Sequence, residues 1–252
     1  MMFTDTHCHL ADKAFTGNLS DVLNRATEAG VSRFIVPSAS AADFDKVSAL
    51  SDTNGIHIAF GIHPWFAGQA CADDLVEVEK KLLAFPRAWV GEIGLDFYDK
   101  ALTEEQKRIQ IDWFQAQLLL AEKLIRPVIL HNLKSSAVML AVLKESGFSR
   151  GGIVHAFSGS LEEAQGFIRC GLKIGIGSLL LNPTAKKVRL AAERLPLDKM
   201  VLETDSPFML KDSVNEPANV AAIAEIIAEI RGISVDEIAE QTERNVAQLL
   251  DF

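Results

Sequence analysis

PVILHNLKSSAVMLAVLKESGFSRGGIVHA, residues 127–156, holds two short apolar runs, PVILH (127–131) and GIVHA (152–156), on either side of a stretch with helical patterning. Each run carries a histidine toward its C-terminal end. Runs that stay apolar on both faces suit a parallel sheet buried under helices. The same rhythm extends in both directions along the chain. Eight runs read as strands: MFTDT (2–6), RFIVP (33–37), IHIAF (56–60), AWVGEI (88–93), PVILH (127–131), GIVHA (152–156), GLKIGI (171–176) and MVLET (200–204). Between them, helical stretches open on a hydroxyl residue with Glu or Gln three places on, which satisfies unpaired N–H groups at a helix start; examples are Thr103 with Gln106, Ser160 with Glu163 and Ser234 with Glu237. Eight strand and helix pairs predict an α/β protein with a closed (β/α)8 TIM barrel, although a doubly wound open sheet has a similar local pattern. With no internal repeat, low-complexity tract or linker, residues 1–252 read as one domain.

The chain has 252 residues, 48% of them hydrophobic, enough for one core of barrel size. Cys8, Cys71 and Cys170 are an odd number at unrelated spacings, which predicts neither a disulfide framework nor a zinc ribbon and points to a reducing compartment. The opening MMFTDTHCHLADK lacks a basic and apolar leader pattern, and no segment approaches the roughly 20 apolar residues of a membrane span, so the expected location is cytoplasmic. A formal net charge of −9 argues against a broad basic surface that holds nucleic acid by releasing counterions. It leaves room for a nucleic-acid substrate, because bound divalent ions supply positive charge where a phosphate must sit. Nothing in the sequence sets an oligomeric state.

The His, Asp and Glu residues fall at the C-terminal ends of the expected strands, and in a barrel those ends converge on one face. His7 and His9 follow the first strand, His63 the third, Glu92 lies near the end of the fourth, His131 and His155 end the fifth and sixth, and Asp205 follows the eighth. His7-Cys8-His9 on an extended backbone points both imidazoles to one side and Cys8 to the other, a chelating arrangement. His131 and His155, each ending an apolar run, need a metal or a hydrogen-bond partner to offset burial. Glu92, in GEIGLD (91–96), has two oxygens able to bridge two cations, and its flanking glycines admit a close approach by backbone or ligand. Asp96 reads as a capping or supporting group in a loop. Asp205, in ETDSP (203–207), either ligates a metal, accepts a proton from water, or does both. His63, held in a turn by Pro64, is assigned to substrate phosphate, and His57, at the start of its strand, to a purely structural role.

These residues resemble the TatD family of metal-dependent deoxyribonucleases, within the wider amidohydrolase-like barrels. The resemblance is carried by DTHCHL (5–10), GIHP (61–64), GEIGLD (91–96), PVILH (127–131), HAFSGS (155–160), ETDSP (203–207) and NEP (215–217), and it covers nearly the whole chain. It implies hydrolysis of DNA phosphodiesters, commonly from the 3′ end, with two divalent ions (Mg²⁺, Mn²⁺ or Zn²⁺) activating a water. It further implies that His7, His9, Glu92 and Asp205 hold one ion and Glu92, His131 and His155 the other, with His63 facing substrate and Asp205, His63 and Glu92 as the catalytic groups. Ala11, Leu133 and Val214 stand where the family often has an acidic residue and two arginines; Leu and Val cannot offer a guanidinium fork to phosphate, though Lys134 supplies a point charge nearby. With few groups to grip a distant backbone, short single-stranded ends are the expected DNA substrate. The alternative is an amidohydrolase-like enzyme acting on a small ester, lactone, amide or phosphoester, where the same electrostatics apply at a carbonyl.

Overall fold

The computed structural model describes residues 2–250. Eight strands follow one another in sheet order, each parallel to the next: β1 Phe3–Asp5, β2 Val31–Pro37, β3 Ile56–Phe60, β4 Trp89–Asp96, β5 Val128–Leu133, β6 Gly152–Val154, β7 Leu172–Ile176 and β8 Met200–Leu202. The α-helices are α1 Leu19–Glu28, α2 Phe44–Ser48, α3 Ala72–Ala84, α4 Glu104–Leu124, α5 Ser136–Glu145, α6 Leu161–Arg169, α7 Lys186–Arg194, α8 Asn219–Arg231 and α9 Val235–Leu250. Beside β8 and β1 the backbone joins the two edges: Thr6 N–H donates to Leu202 O at 2.9 Å, Asp205 N–H to His7 O at 2.8 Å and His9 N–H to Ser206 O at 2.7 Å. The sheet therefore closes into the (β/α)8 barrel, and the open doubly wound alternative is excluded. No helix among the described residues is long and apolar enough to cross a membrane.

All eight expected strands are present, and the capping pairs at α4, α6 and α9 form as anticipated from Thr103, Ser160 and Ser234. β2 begins two residues earlier than anticipated, and β4 and β5 run further toward their C-terminal ends. Gly94, Leu95 and Asp96 pair with His131, Asn132 and Leu133, so Glu92 and His131 lie inside their strands and Asp96, expected in a loop, is the last residue of β4. Between Val90, paired with Val128, and Ile93, paired with Leu130, β4 carries one residue more than β5. Such a bulge re-aims side chains, here at Glu92.

The glycines around Glu92 admit the neighbouring strand. A Cβ at Gly91 would lie 2.7 Å from Ile129 Cβ, and at Gly94, whose φ is +137°, it would lie 2.1 Å from His131 O. Gly94→Ala is accordingly expected to cost on the order of 2 kcal/mol or more, since it combines backbone strain with a clash between strands. Urea unfolding of the purified variant measures this; a loss below about 0.5 kcal/mol, the range of an inconsequential surface change, would show that β4 and β5 part easily there.

Inside the barrel, Ile35, Ala59, Trp89, Ile129, Ile153 and Val201 pack against Val246 and Leu249 of α9. This last helix follows α8 without a strand between them and plugs the N-terminal end of the barrel. Asn245 Nδ2 donates to Leu197 O at 2.8 Å and Met200 O at 2.7 Å, Lys173 Nζ to Gln248 Oε1 at 2.7 Å, and Arg33 pairs with Glu243. With that end filled, polar chemistry is confined to the C-terminal rim.

Candidate metal centre

His7, His9, His63, Glu92, His131, His155 and Asp205 converge at the C-terminal rim, while His57 stays at the opposite end of β3. Glu92, 3% exposed, stands at the centre. Its Oε2 faces His7 Nε2 at 3.4 Å and His9 Nε2 at 3.8 Å. Its Oε1 faces His155 Nε2 at 2.6 Å, His131 Nδ1 at 3.0 Å and His63 Nε2 at 3.4 Å. One carboxylate thus offers a separate oxygen to each of two donor groups.

The spacing of the first group suits a cation. His7 Nε2 lies 3.2 Å from His9 Nε2, and Asp205 Oδ1 lies 3.5 Å from the former and 3.3 Å from the latter. Ligands bound tetrahedrally at about 2.0–2.1 Å sit about 3.3 Å apart, so these three donors are spaced as they would be around an ion, with Glu92 Oε2 beside the two imidazoles. In the second group His131 Nδ1 and His155 Nε2 are 3.2 Å apart, both against Glu92 Oε1. Cys8 points away, fully buried, with its thiol toward Ile35 O, as the extended backbone predicts.

The electrostatics of the cluster favour positive charge at its centre. Burial pushes the Glu92 carboxyl up, but the imidazoles of His155, His63 and His7 and a hydrogen bond with His131 outweigh it and hold the group well below the usual carboxylate range. For Asp205, burial is likewise outweighed by the His9 hydrogen bond and by His7 and His155. Burial opposes charge on His155 too, yet Glu92 and then Asp205 carry its imidazole up to about 10, while burial and the charge of His155 bring His7 down to about 4. Protons held by such carboxylate-flanked imidazoles are what a divalent ion displaces.

His63 differs from the others in its second nitrogen. Trp65 N–H donates to His63 Nδ1 at 3.1 Å, so the ring's hydrogen sits on Nε2, the nitrogen turned to Glu92. Ligation through Nε2 would move that hydrogen to Nδ1, where two N–H groups would then face each other. His63 is built as a donor, although its position beside Glu92 and His131 places it within metal-binding distance.

Several residues that the sequence reading gave no role, or the wrong setting, hold this array. Asp96 Oδ2 meets His131 Nε2 at 3.2 Å and accepts from the Trp65 indole N–H at 2.7 Å, fixing the ring whose other nitrogen faces Glu92. Asp5, fully buried, accepts from His7 N–H at 3.2 Å and Thr204 N–H at 2.9 Å and so ties β1 to β8 beneath both ligand loops. Glu203 accepts from Ala156 N–H, clamping the residue after His155, and its side chain fills the space a Cβ at Gly175 would take. Their signal in the sequence was proximity alone: Asp5 stands two residues before His7 and Glu203 two before Asp205, each next to a candidate ligand at a strand end. Asn215 of NEP donates from Nδ2 to Thr204 O and to Ser178 Oγ, each at 2.9 Å, so that motif fastens the loop carrying Asp205. Val214 and Lys134 are exposed on the rim, and Leu133 and Ala11 are partly buried.

A parallel eight-stranded barrel whose C-terminal rim gathers histidines and carboxylates at metal-ligand spacing defines a metal-dependent hydrolase. The model of the family described as TatD related DNase matches residues 4–251. The chain belongs to that family. It is 35% identical over 99% of its length to the Escherichia coli K12 metal-dependent hydrolase YjjV, of which it covers 98%. It is 33% identical to human deoxyribonuclease TATDN3, with 97% of this chain and 93% of that protein covered. The crystal structure of YjjV superposes with a TM-score of 0.93 at 34% identity, covering 99% of this chain and 98% of that one.

Proposed function

We propose that this protein is a deoxyribonuclease that hydrolyses DNA phosphodiesters from the 3′ end, with two divalent ions in one catalytic domain spanning residues 1–252. The observation that supports the reading is the division of Glu92, whose Oε2 faces His7 and His9, themselves grouped with Asp205, while its Oε1 faces His131, His155 and His63. Bound there, Mg²⁺, Mn²⁺ or Zn²⁺ would supply Lewis acidity, neutralising phosphate charge and making water a competent nucleophile near neutral pH. His7, His9 and Asp205 would hold one ion and His131 and His155 the other, with Glu92 available to both groups. Asp205, ionised and partly exposed beside His9, takes the proton from water as its oxygen bonds to phosphorus and the bond to the departing sugar oxygen breaks, and that oxygen takes up a proton from solvent at the open rim. His63 donates its Nε2 hydrogen to a phosphate oxygen. Protonation of the leaving oxygen by an imidazolium does not suit it, because Nδ1 is already committed as an acceptor.

Metal content and activity test this together. Purified protein, reloaded with excess Mg²⁺ or Mn²⁺ and then desalted or held at equilibrium, is expected to carry close to two ions per chain by elemental analysis or titration. The loaded protein is expected to shorten 5′-labelled single-stranded DNA stepwise from its 3′ end and to leave carboxyl esters and lactones intact. Saturation at one ion rejects the two-metal reading, and turnover confined to the carboxyl substrates rejects the nuclease reading.

A further inference from the structure

The row of site imidazoles ends, on both sides, on an aromatic ring that solvent can reach. Trp65, in the β3–α3 loop, is 68% exposed and packs edge-on against His63 with ring centroids 4.8 Å apart. Phe208, in the β8–α8 loop, is 50% exposed and packs edge-on against His9 at 5.5 Å. The Trp65 indole N–H is anchored on Asp96 Oδ2 at 2.7 Å, and the backbone that carries Phe208 is held by its N–H donating to Asp205 O at 2.9 Å. A third exposed aromatic, Tyr98, 67% exposed, stands on the same rim, its backbone N–H bonded to Asp96 Oδ1 at 2.9 Å. Single exposed apolar side chains are ordinary, but two exposed aromatics held beside Asp96 and Asp205, each in ring contact with an outermost imidazole of the site, are an arrangement suited to a ligand.

We propose that Trp65 and Phe208 are stacking platforms for the unpaired nucleobases on the two sides of the scissile phosphate, and that they give the enzyme its selectivity for single-stranded DNA. This rests on the deoxyribonuclease reading above. A phosphodiester held at Glu92 carries a nucleoside to each side, and the two rings lie to each side of the imidazoles. Stacking asks only for a π-face, so the selectivity is for unpaired bases irrespective of sequence; bases in a duplex already spend their faces on each other. An acidic chain gains by this means a grip that does not depend on a basic surface.

The test uses full-length, metal-loaded protein and three hydrolysis-resistant phosphorothioate probes: a thymidine hexamer, a propanediol hexamer with the same backbone charge and no bases, and a blunt duplex of mixed sequence. The thymidine hexamer is expected to bind about tenfold tighter than the base-free hexamer or the duplex and to quench tryptophan emission. Phe208→Leu keeps apolar bulk but no π-face and is expected to lose most of that preference, while Phe208→Tyr retains it. Trp65→Phe is expected to retain much of the preference and lose the quench, and Trp65→Ala to lose both. Equal binding of the thymidine and base-free hexamers, or a preference untouched in Phe208→Leu and Trp65→Ala, overturns the proposal. If ordinary phosphodiester DNA is still hydrolysed in that case, the nuclease reading stands without it; if DNA is neither bound nor hydrolysed, both fall.

Discussion

Glu92→Gln is expected to lose at least one of two bound ions, and turnover with it. Both oxygens of this carboxylate are engaged, Oε2 toward His7 and His9 and Oε1 toward His155 and His131, the closest at 2.6 Å. The amide keeps one oxygen, replaces the other with an N–H₂ that repels a cation, and removes the negative charge lying between the two donor groups. Two divalent ions held near each other repel strongly, and inside a protein, where screening by water is incomplete, the loss of an intervening charge weighs heavily. Glutamine nearly preserves shape, so the fold should persist. The readout is metal content alongside rate, with circular dichroism as the check on folding. A folded variant that keeps both ions and most of its turnover would remove Glu92 from the centre of the mechanism.

Asp205→Asn is expected to separate binding from chemistry. Asp205 Oδ1 lies 3.3 Å from His9 Nε2 and 3.5 Å from His7 Nε2, and asparagine keeps an oxygen for that position. Its backbone, at φ +58°, belongs to the left-handed region that Asn and Asp tolerate better than most residues, so the loop should hold its form. What disappears is the ionised carboxylate able to accept a proton. Metal content should be partly retained while kcat falls on the order of 100-fold or more, the usual scale for loss of a general base. Near-normal turnover with both ions bound would transfer the role elsewhere. His63 would not inherit it, since its one acceptor nitrogen already receives the Trp65 N–H.

The sequence by itself determined the eightfold alternation of strand and helix and singled out the candidate ligands, whereas closure of the sheet into a barrel was decided by the hydrogen bonds that join the β8 and β1 edges. Apolar runs and helix-opening pairs are local signals, set by backbone hydrogen-bond demand and by burial on both faces of a parallel sheet, so eight strands and the caps at Thr103, Ser160 and Ser234 could be placed without knowing what they pack against. His7, His9, Glu92, His131, His155 and Asp205 were legible for the same reason: in a barrel, the end of one strand is near the end of every other. Only the tertiary structure decided the division of Glu92 between two donor groups, because that depends on a bulge whose extra residue is defined by the register of β4 against β5. It alone placed Asp96 in a strand beneath His131 and Trp65, seated α9 in the floor of the barrel, and settled which nitrogen of His63 carries the hydrogen. Each of those is a contact between residues 31 or more apart in sequence or a hydrogen bond whose direction follows from folded geometry, and periodicity along a chain carries no information about either.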